Sequence, residues 1–442
     1  MRRTARPLLY LGIIGSVVGL SLYHARVIAD PPYSYTGTAR FGWSIFYIVL
    51  LAVTAYGFGL PDLPRSPRQA LVTSVGAVTA GALEISIFQL FVGDALLPRF
   101  VVFGAPMLLV PWYLLCIALA GGAGAVVQRD RVLVVSDSVD PALLREDVAR
   151  GPERPAIVIE VVPVEMVESD GSDRKPLVER LERDRGNVLV LDREAQASPS
   201  VVAQAAELHQ GGLRVRTLSL FYEEWLGMLP LGELERVSLL FDIGEVHRSQ
   251  YGRVKRVLDV LLACVGLVVL AISVPFVALG DLIANRGPLL YRQERVGKNG
   301  QLFRILKFRT MRPSGGDLPN EWTRENDPRI TPFGKVLRIT HVDELPQVIN
   351  ILRGDLAVVG PRPEQPQYVD ELKTKLPFYD MRHLVRPGLT GWAQVKYGYA
   401  GDERDALEKL QYEFFYLGHQ GLNLDVRIIG RTIRSVLGGG GR

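Results

Sequence analysis

The sequence predicts a membrane protein of α+β class: four N-terminal transmembrane helices, a small Rossmann-like α/β domain, and a C-terminal domain entered through a re-entrant membrane helix. Three observations predict it. Four apolar runs long enough to cross a bilayer succeed one another in the first 127 residues. Polar sequence with alternating strand and helix patterns then takes over. A further apolar run near Val254 has basic residues at both ends and a proline inside it.

The composition agrees with that division. Of 442 residues, 48% are hydrophobic, which is high for a soluble chain, and the formal net charge is +4. Such a balance suits a membrane surface or phosphorylated small molecules. Nucleic acid is not an expected partner, because no long basic stripe is interleaved with aromatic residues. Cys116 and Cys264 both lie in apolar runs, and two cysteines make neither a disulfide framework nor a zinc spacing.

The first region is read as residues 1–127. Its apolar runs are about Leu8–Tyr23, Phe41–Leu60, Leu71–Phe91 and Phe100–Val127. The first is a span rather than a cleaved signal, because no clean small-residue cleavage site follows it and further spans do. Four spans put both ends on one side. Arg2, Arg3, Arg6, Arg65, Arg68, Arg129 and Arg131 then face the cytoplasm, against Arg26, Arg40 and Arg99 outside. Glu84 is the acid within the third run, read as a satisfied polar residue at a helix interface rather than part of a substrate path.

The second region, 128–245, repeats a strand pattern at Arg131–Ser136, Ala156–Val162, Asn187–Leu191 and Leu213–Leu218, with a helix pattern at Ser198–Gln210. This predicts a small open parallel sheet. The turn after the first strand, Ser136-Asp-Ser-Val-Asp140, lacks the closely spaced glycines of a dinucleotide site, so a structural, regulatory or dimerising role is expected.

The third region, 250–442, opens with the apolar run 254–284. Arg253, Lys255 and Arg256 precede it; Arg286, Arg292, Arg295 and Lys298 follow. Basic clusters on both sides conflict with a simple crossing, and Pro275 bends a helix by removing a backbone donor. A segment that dips into one leaflet and returns fits both features, with Ser273 placed to re-satisfy a freed backbone group. Beyond it, Asn299-Gly300 marks a hairpin tip. The stretch Leu302–Met311 alternates apolar and basic residues and predicts a strand with one charged face, carrying Lys307 and Arg309 for phosphate contacts. Adjacent acids, Asp343 and Glu344, stand before Pro346, and Ala357-Val-Val359 runs into a Gly-Pro-Arg-Pro turn containing Arg362. An acidic pair needs its charge held, and a divalent metal between it and a phosphate does so. The aromatic run Tyr412, Phe414, Phe415 and Tyr416 reads equally as an interfacial helix or as core.

The stretches KRVLDV, GPLLYRQERVGKNGQLFRILKFRTM, DPRITPFGKVLR, VDELPQ, GDLAVVGPRPE, VRPGLTGWAQV and LEKLQYEFFYL together resemble the bacterial polyprenyl-phosphate glycosyl-1-phosphate transferases. The preceding spans and α/β module resemble the larger members of that family. The resemblance implies that Asp343 is the nucleophile and Glu344 its partner, which helps to hold Mg2+. It implies further that Arg362 contacts the nucleotide end, that Pro275 breaks the re-entrant helix, and that Lys307, Arg309, Arg329 and Arg386 serve as charge partners to substrate. Val274 here stands between Ser273 and that proline. The implied reaction moves a sugar-1-phosphate, a hexose such as glucose or galactose, from a UDP-sugar to undecaprenyl phosphate at the cytoplasmic face of the inner membrane. It would initiate exopolysaccharide, capsule or O-antigen assembly, in a protein that contacts membrane lipid and is expected as a homodimer. A catalytically silent membrane scaffold is the non-enzymatic alternative.

Overall fold

A computed structural model describes residues 2–61, 67–92, 97–120, 129–150, 153–169, 175–230, 250–284, 288–312, 327, 329–376, 378–397 and 403–437. The chain is mostly helical, with several long apolar helices and a four-stranded parallel sheet. It divides into two compact units. One comprises Met1–Ala125, Ser249–Val395 and Gln420–Arg442; the other comprises Val126–Arg248 and Lys396–His419.

The first unit begins with α1 (Arg2–Tyr23), α2 (Ala39–Gly57), α3 (Pro67–Val92) and α4 (Arg99–Ala120). All four are long and apolar enough to cross a bilayer. They share one core, in which Leu9, Ile13, Tyr47, Leu51, Ile85, Leu109 and Tyr113 are buried, and Trp112 ties α4 to α1 by donating to the Leu8 carbonyl at 3.0 Å. Glu84 is half-buried on α3, and among the described residues no ion pair falls on it.

The second unit holds β1 (Asp130–Val135), α5 (Pro141–Ala149), β2 (Ala156–Val162), α6 (Pro176–Arg183), β3 (Val188–Leu191), α7 (Arg193–Ala197), α8 (Pro199–Gln210), β4 (Arg214–Thr217) and α9 (Leu218–Phe221). The strands lie in the order β2-β1-β3-β4, all parallel, with Val132 opposite Val158 on one side and Val188 on the other. A parallel sheet covered by helices needs near-continuous apolar strands, and Val132–Val135 and Val188–Leu191 are all buried. The module's polar ends are satisfied locally: Asp140 caps α5 and Asp192 caps α7.

The first unit resumes with α10 (Gln250–Ala284), a single helix through Pro275. The hairpin β5 (Leu290–Val296) and β6 (Leu302–Phe308) follows, antiparallel, with Tyr291 opposite Lys307. Its tip falls on the expected Asn-Gly pair, where Asn299 and Gly300 have φ of 56° and 76°. The elements α11 (Pro332–Ile339), α12 (Gln347–Arg353), β7 (Ala357–Val359), α13 (Pro366–Lys375), β8 (Gly388–Thr390) and α14 (Trp392–Tyr397) come next. β7 and β8 pair in parallel.

Two C-terminal helices then part company. α15 (Glu403–Gly418) belongs to the α/β unit, and α16 (Leu422–Leu437) returns to the membrane-helix unit. On α15, Tyr412, Phe414 and Tyr416 are buried, Glu408 pairs with Arg150 at 2.8 Å, and the Leu229 N–H donates to the Gln411 carbonyl. The aromatic run therefore packs core. On α16, Gly430 lies so close to Gly57 of α2 that a β-carbon would meet backbone. Asp425 takes hydrogen bonds from Tyr251 and Lys255 at the start of α10, at 2.6 and 2.5 Å.

Candidate active site around Asp343

The elbow between α11 and α12 carries the acidic pair. Thr331 caps α11 by accepting the Gly334 N–H at 2.9 Å, and Pro332 occupies the first turn, where its missing donor costs nothing. The helix ends at Thr340. His341 then adopts a left-handed backbone, φ 57°, which turns the chain into the short 3-10 turn Val342–Glu344. That conformation is unfavourable for a residue with a β-carbon, by roughly 1 kcal/mol. The turn is paid back by packing: Val342 and Leu345 join Leu270 and Val277 of α10, Phe308 of β6, Leu337 of α11 and Val348 of α12 in one apolar cluster.

Asp343 is buried, and among the described residues no hydrogen bond or ion pair falls on its carboxylate. Burial first, and then the charge of Glu344, push its pKa up to about 6, against the opposing pull of Lys307, Arg338 and His341. Glu344 goes the other way. Burial raises it, but Lys307 and Arg362 outweigh that and hold it down at about 2. Lys307 Nζ donates to Glu344 Oε1 at 2.6 Å. Two neighbouring carboxyl groups are thus driven apart in proton affinity, one held ionised by a cation and the other raised by its burial and by its ionised neighbour.

The Gly-Pro-Arg-Pro turn is knitted to β8 and to the hairpin. Gly360 donates to Thr390, Gly388 to Pro361, and Val296 to Glu364. The carbonyl of Arg362 accepts from Arg382 at 2.9 Å, and that of Pro363 from Arg295 at 3.1 Å. Gly360 must be glycine, since a β-carbon would run into the backbone of Arg386 and Gly388.

The remaining residues singled out in the sequence are spread more widely. Arg309 lines an open groove of about 560 Å³ with Tyr291 and Arg292. Arg329 grips Asp327 through Nε and Nη2, at 2.9 and 2.6 Å. Arg386 Nε donates to the Gly354 carbonyl, at the end of α12, at 2.9 Å. The Ser273 hydroxyl donates to Leu270 O at 2.9 Å, one residue before the carbonyl that Pro275 leaves without its helical donor. The charged face of β6 is divided, because residues three apart on a strand point oppositely: Arg304 turns toward Glu294, and Lys307 toward Glu344. The polar sequence 313–326 and the Gly-Tyr-Ala-Gly sequence 398–401 lie outside the described residues.

Sequence reasoning passed over Arg338, which donates to Thr310 Oγ1 at 3.1 Å and lowers the pKa of Asp343. Its position in the last turn of a helix that stops just before the acids was the available signal. Arg256 of α10, read in the sequence only as part of the basic cluster before the apolar run, donates through its two Nη atoms to the Ile351 and Leu352 carbonyls at 2.6 and 2.9 Å. Cations at a helix C-terminus satisfy orphan carbonyls, and this one fastens α12 to α10.

One oxygen of Glu344 is open to a hard divalent ion. Lys307 takes one oxygen of Glu344 and leaves the other, and Mg2+ commonly accepts one or two carboxylates together with substrate phosphates. Among the described residues there is no cluster of three or more potential metal ligands, so phosphate oxygens would have to complete such a set.

A family profile described as "Bacterial sugar transferase" matches residues 250–439. The chain is 41% identical over 229 residues to a UDP-N-acetylgalactosamine-undecaprenyl-phosphate N-acetylgalactosaminephosphotransferase of Aeromonas hydrophila, covering 49% of this chain and 54% of that protein. It is 38% identical over 221 residues to a UDP-glucose:undecaprenyl-phosphate glucose-1-phosphate transferase of Xanthomonas campestris pv. campestris, covering 49% of this chain and 44% of the relative. A protein of Caulobacter vibrioides described by the same words is 39% identical over 213 residues, covering 47% of this chain and 79% of the relative. The chain spans about half the length of the first two relatives.

Proposed function

The chain belongs to the bacterial sugar transferase family, and from that premise we propose that it transfers a hexose-1-phosphate from a UDP-sugar to undecaprenyl phosphate, releasing UMP. The observation that carries this reading is the contrast within the dyad: Glu344 is held ionised by Lys307, while the carboxylate of Asp343 is left without a partner among the described residues.

Asp343 is the nucleophile. Its carboxylate oxygen attacks the sugar-proximal phosphorus, the bond from that phosphorus to the bridging oxygen breaks, and UMP departs with that oxygen. An aspartyl phosphosugar remains. An oxygen of undecaprenyl phosphate then attacks the same phosphorus and displaces Asp343, giving the diphosphate-linked sugar and restoring the carboxylate. Lys307, Arg338 and Arg362 offset the charge of two anionic reactants. Glu344 is the residue that would hold Mg2+, and the bound ion would neutralise phosphate charge.

Membrane geometry supports the same reading. The helix α10 is 35 residues long, about 52 Å at the usual rise, well beyond a hydrocarbon core of about 30 Å. Gly266, near its middle, packs against Val348 of α12, and Gly280 packs against Phe333 of α11. A vertical crossing would carry the elbow and its charges to mid-bilayer depth, where ionised groups are costly. A shallow path that does not cross the bilayer keeps them at headgroup level, where a soluble donor and an anchored acceptor can both reach them. The exposed Val336 and Ile339 of α11 are then lipid contacts. We place this catalytic face on the cytoplasmic side of the inner membrane, where nucleotide sugars are found, in the initiation of exopolysaccharide or a related polymer.

The test is UMP release by the detergent-solubilised chain with Mg2+, undecaprenyl phosphate and a panel of UDP-sugars including glucose, galactose and N-acetylgalactosamine. Release with one sugar, abolished in Asp343→Asn, is expected. No release with any sugar would leave the scaffold reading standing.

A further inference from the structure

Asn350 lies on α12 and is fully buried. One edge of β6 is paired with β5. On the opposite edge, the Leu306 N–H and the Arg304 carbonyl need other partners, since buried backbone groups are rarely left unpaired. The side chain of Asn350 supplies both. Its Oδ1 accepts from Leu306 N–H at 3.0 Å, and its Nδ2 donates to the Arg304 carbonyl at 2.8 Å. A single side-chain amide thereby stands in for the peptide group of a neighbouring strand.

Asn350 is also fixed from behind. Its Nδ2 donates to Asp355 Oδ2 at 3.1 Å, and its backbone carbonyl accepts from the N–H groups of Gly354, Asp355 and Leu356 at 3.1, 3.0 and 3.3 Å. The end of α12 and the outer edge of β6 therefore meet in one residue. Leu306 immediately precedes Lys307, and Lys307 reaches Glu344 in the turn that leads into α12. The elements that carry the cation and the acid are locked to each other through Asn350.

We propose that Asn350 is a positioning residue for the transfer reaction: it sets the register of β6 against α12 and so holds Lys307 on Glu344. The proposal rests on the reading of Asp343 and Glu344 as the reacting pair. It differs from a general packing role, because the effect must pass through Lys307. An apolar residue of similar size would fill the same volume, yet it would leave the Leu306 N–H and the Arg304 carbonyl buried without partners.

The test is a double-mutant cycle on the full chain in detergent, with Asn350→Ala and the milder Asn350→Ser each made alone and with Lys307→Gln. Asn350→Ala should lower kcat about 30-fold with KM for the UDP-sugar changed less than about twofold. In the Lys307→Gln background the same substitution should cost less than about threefold, because the interaction it supports is already gone. Equal losses in both backgrounds would overturn the proposal, and so would unchanged kcat in both single variants. Where Asn350→Ala fails to fold, Asn350→Ser is read by the same criteria.

Hydrogen exchange at the Leu306 amide reads the clamp without turnover. Either Asn350 variant should speed it by about tenfold or more, while Lys307→Gln leaves it unchanged. Unaltered exchange in the Asn350 variants also overturns the proposal. If the wild-type chain turns over no UDP-sugar while Leu306 exchange responds as stated, the reaction assignment fails and the clamp stands.

Discussion

Two buried aspartates, one in each unit, carry the same side chain in opposite surroundings. Asp192 follows β3 of the parallel sheet and is 1% exposed; Asp343 follows α11 and is 8% exposed. Asp192 is saturated. Its Oδ1 accepts from the Ala195 N–H at 2.8 Å, and its Oδ2 from the Asp137 N–H and the Ser138 hydroxyl at 3.3 and 3.4 Å. Asp343, among the described residues, receives no hydrogen bond, and the neighbouring Glu344 has drawn Lys307 to itself. A carboxylate supplied with backbone donors is a structural cap. One buried without them keeps its lone pairs unused by the fold and bears a cost for doing so.

The same comparison accounts for the α/β module. The crevice between β1 and β3, at the carboxyl ends of the strands, is where such sheets usually receive a nucleotide phosphate. Here Asp137 and Asp192 stand at those ends, with Asp137 Oδ1 accepting the Val164 N–H at 3.1 Å. Local carboxylates hold donors of the kind a phosphate would use, in keeping with the missing glycines of Ser136–Asp140.

The comparison can be broken most severely at Asp343. Asp343→Asn should cut turnover by about a thousandfold or more, measured as UMP release, because an amide cannot form the acyl-phosphate bond to the phosphosugar. Asp192→Asn should leave turnover within about twofold, since it touches only the cap. Next in size, Lys307→Gln should lower kcat about a hundredfold by removing the cation at Glu344.

Stability should respond with opposite signs. The native pKa of Asp343 lies above that of an unfolded chain, so the native state binds more protons between about pH 4 and pH 6. Unfolding free energy therefore falls as pH rises through that window, and the deficit persists above it. Asp343→Asn has no charge to bury and should be more stable at pH 7, by on the order of 1–3 kcal/mol, with the gain vanishing below about pH 4. Asp192→Ala should be less stable by about 1 kcal/mol at the same pH, from the lost cap. Denaturation in detergent at pH 4 and pH 7 checks both. The smallest effect expected is on the pH profile. At low magnesium, kcat/KM should fall below a limb centred near pH 6 as Asp343 takes up its proton, and added magnesium should move that limb downward by favouring the carboxylate.

Part of the candidate site's backbone was legible in the sequence because it is local. The Asn299-Gly300 tip dictates the hairpin, and the adjacent acids stand out beside Pro346; the helix that Thr331 and Pro332 start, and that stops before those acids, was not among the expected elements. The apolar runs give the long helices directly. The illegible part depends on long-range partners. Asn350 sits in an apolar helical stretch where one amide suggests nothing, and its partners are on β6. Arg329 and Arg386 have the composition of phosphate ligands, yet Asp327 and the Gly354 carbonyl engage them. The aromatic run of α15 has a pattern common to an interfacial helix and a core helix, and only the neighbours that bury Phe414 and Tyr416 separate the two.

The central claim is that Asp343 carries the sugar phosphate between donor and acceptor. Its most direct test is to mix the purified chain with a UDP-sugar labelled in the sugar-proximal phosphate, omit undecaprenyl phosphate, and map the label by peptide mass spectrometry. Label on the peptide containing Asp343, absent in Asp343→Asn and discharged when undecaprenyl phosphate is added, is the predicted result. Turnover with no label on the protein at any time, or label on a different residue, would contradict it.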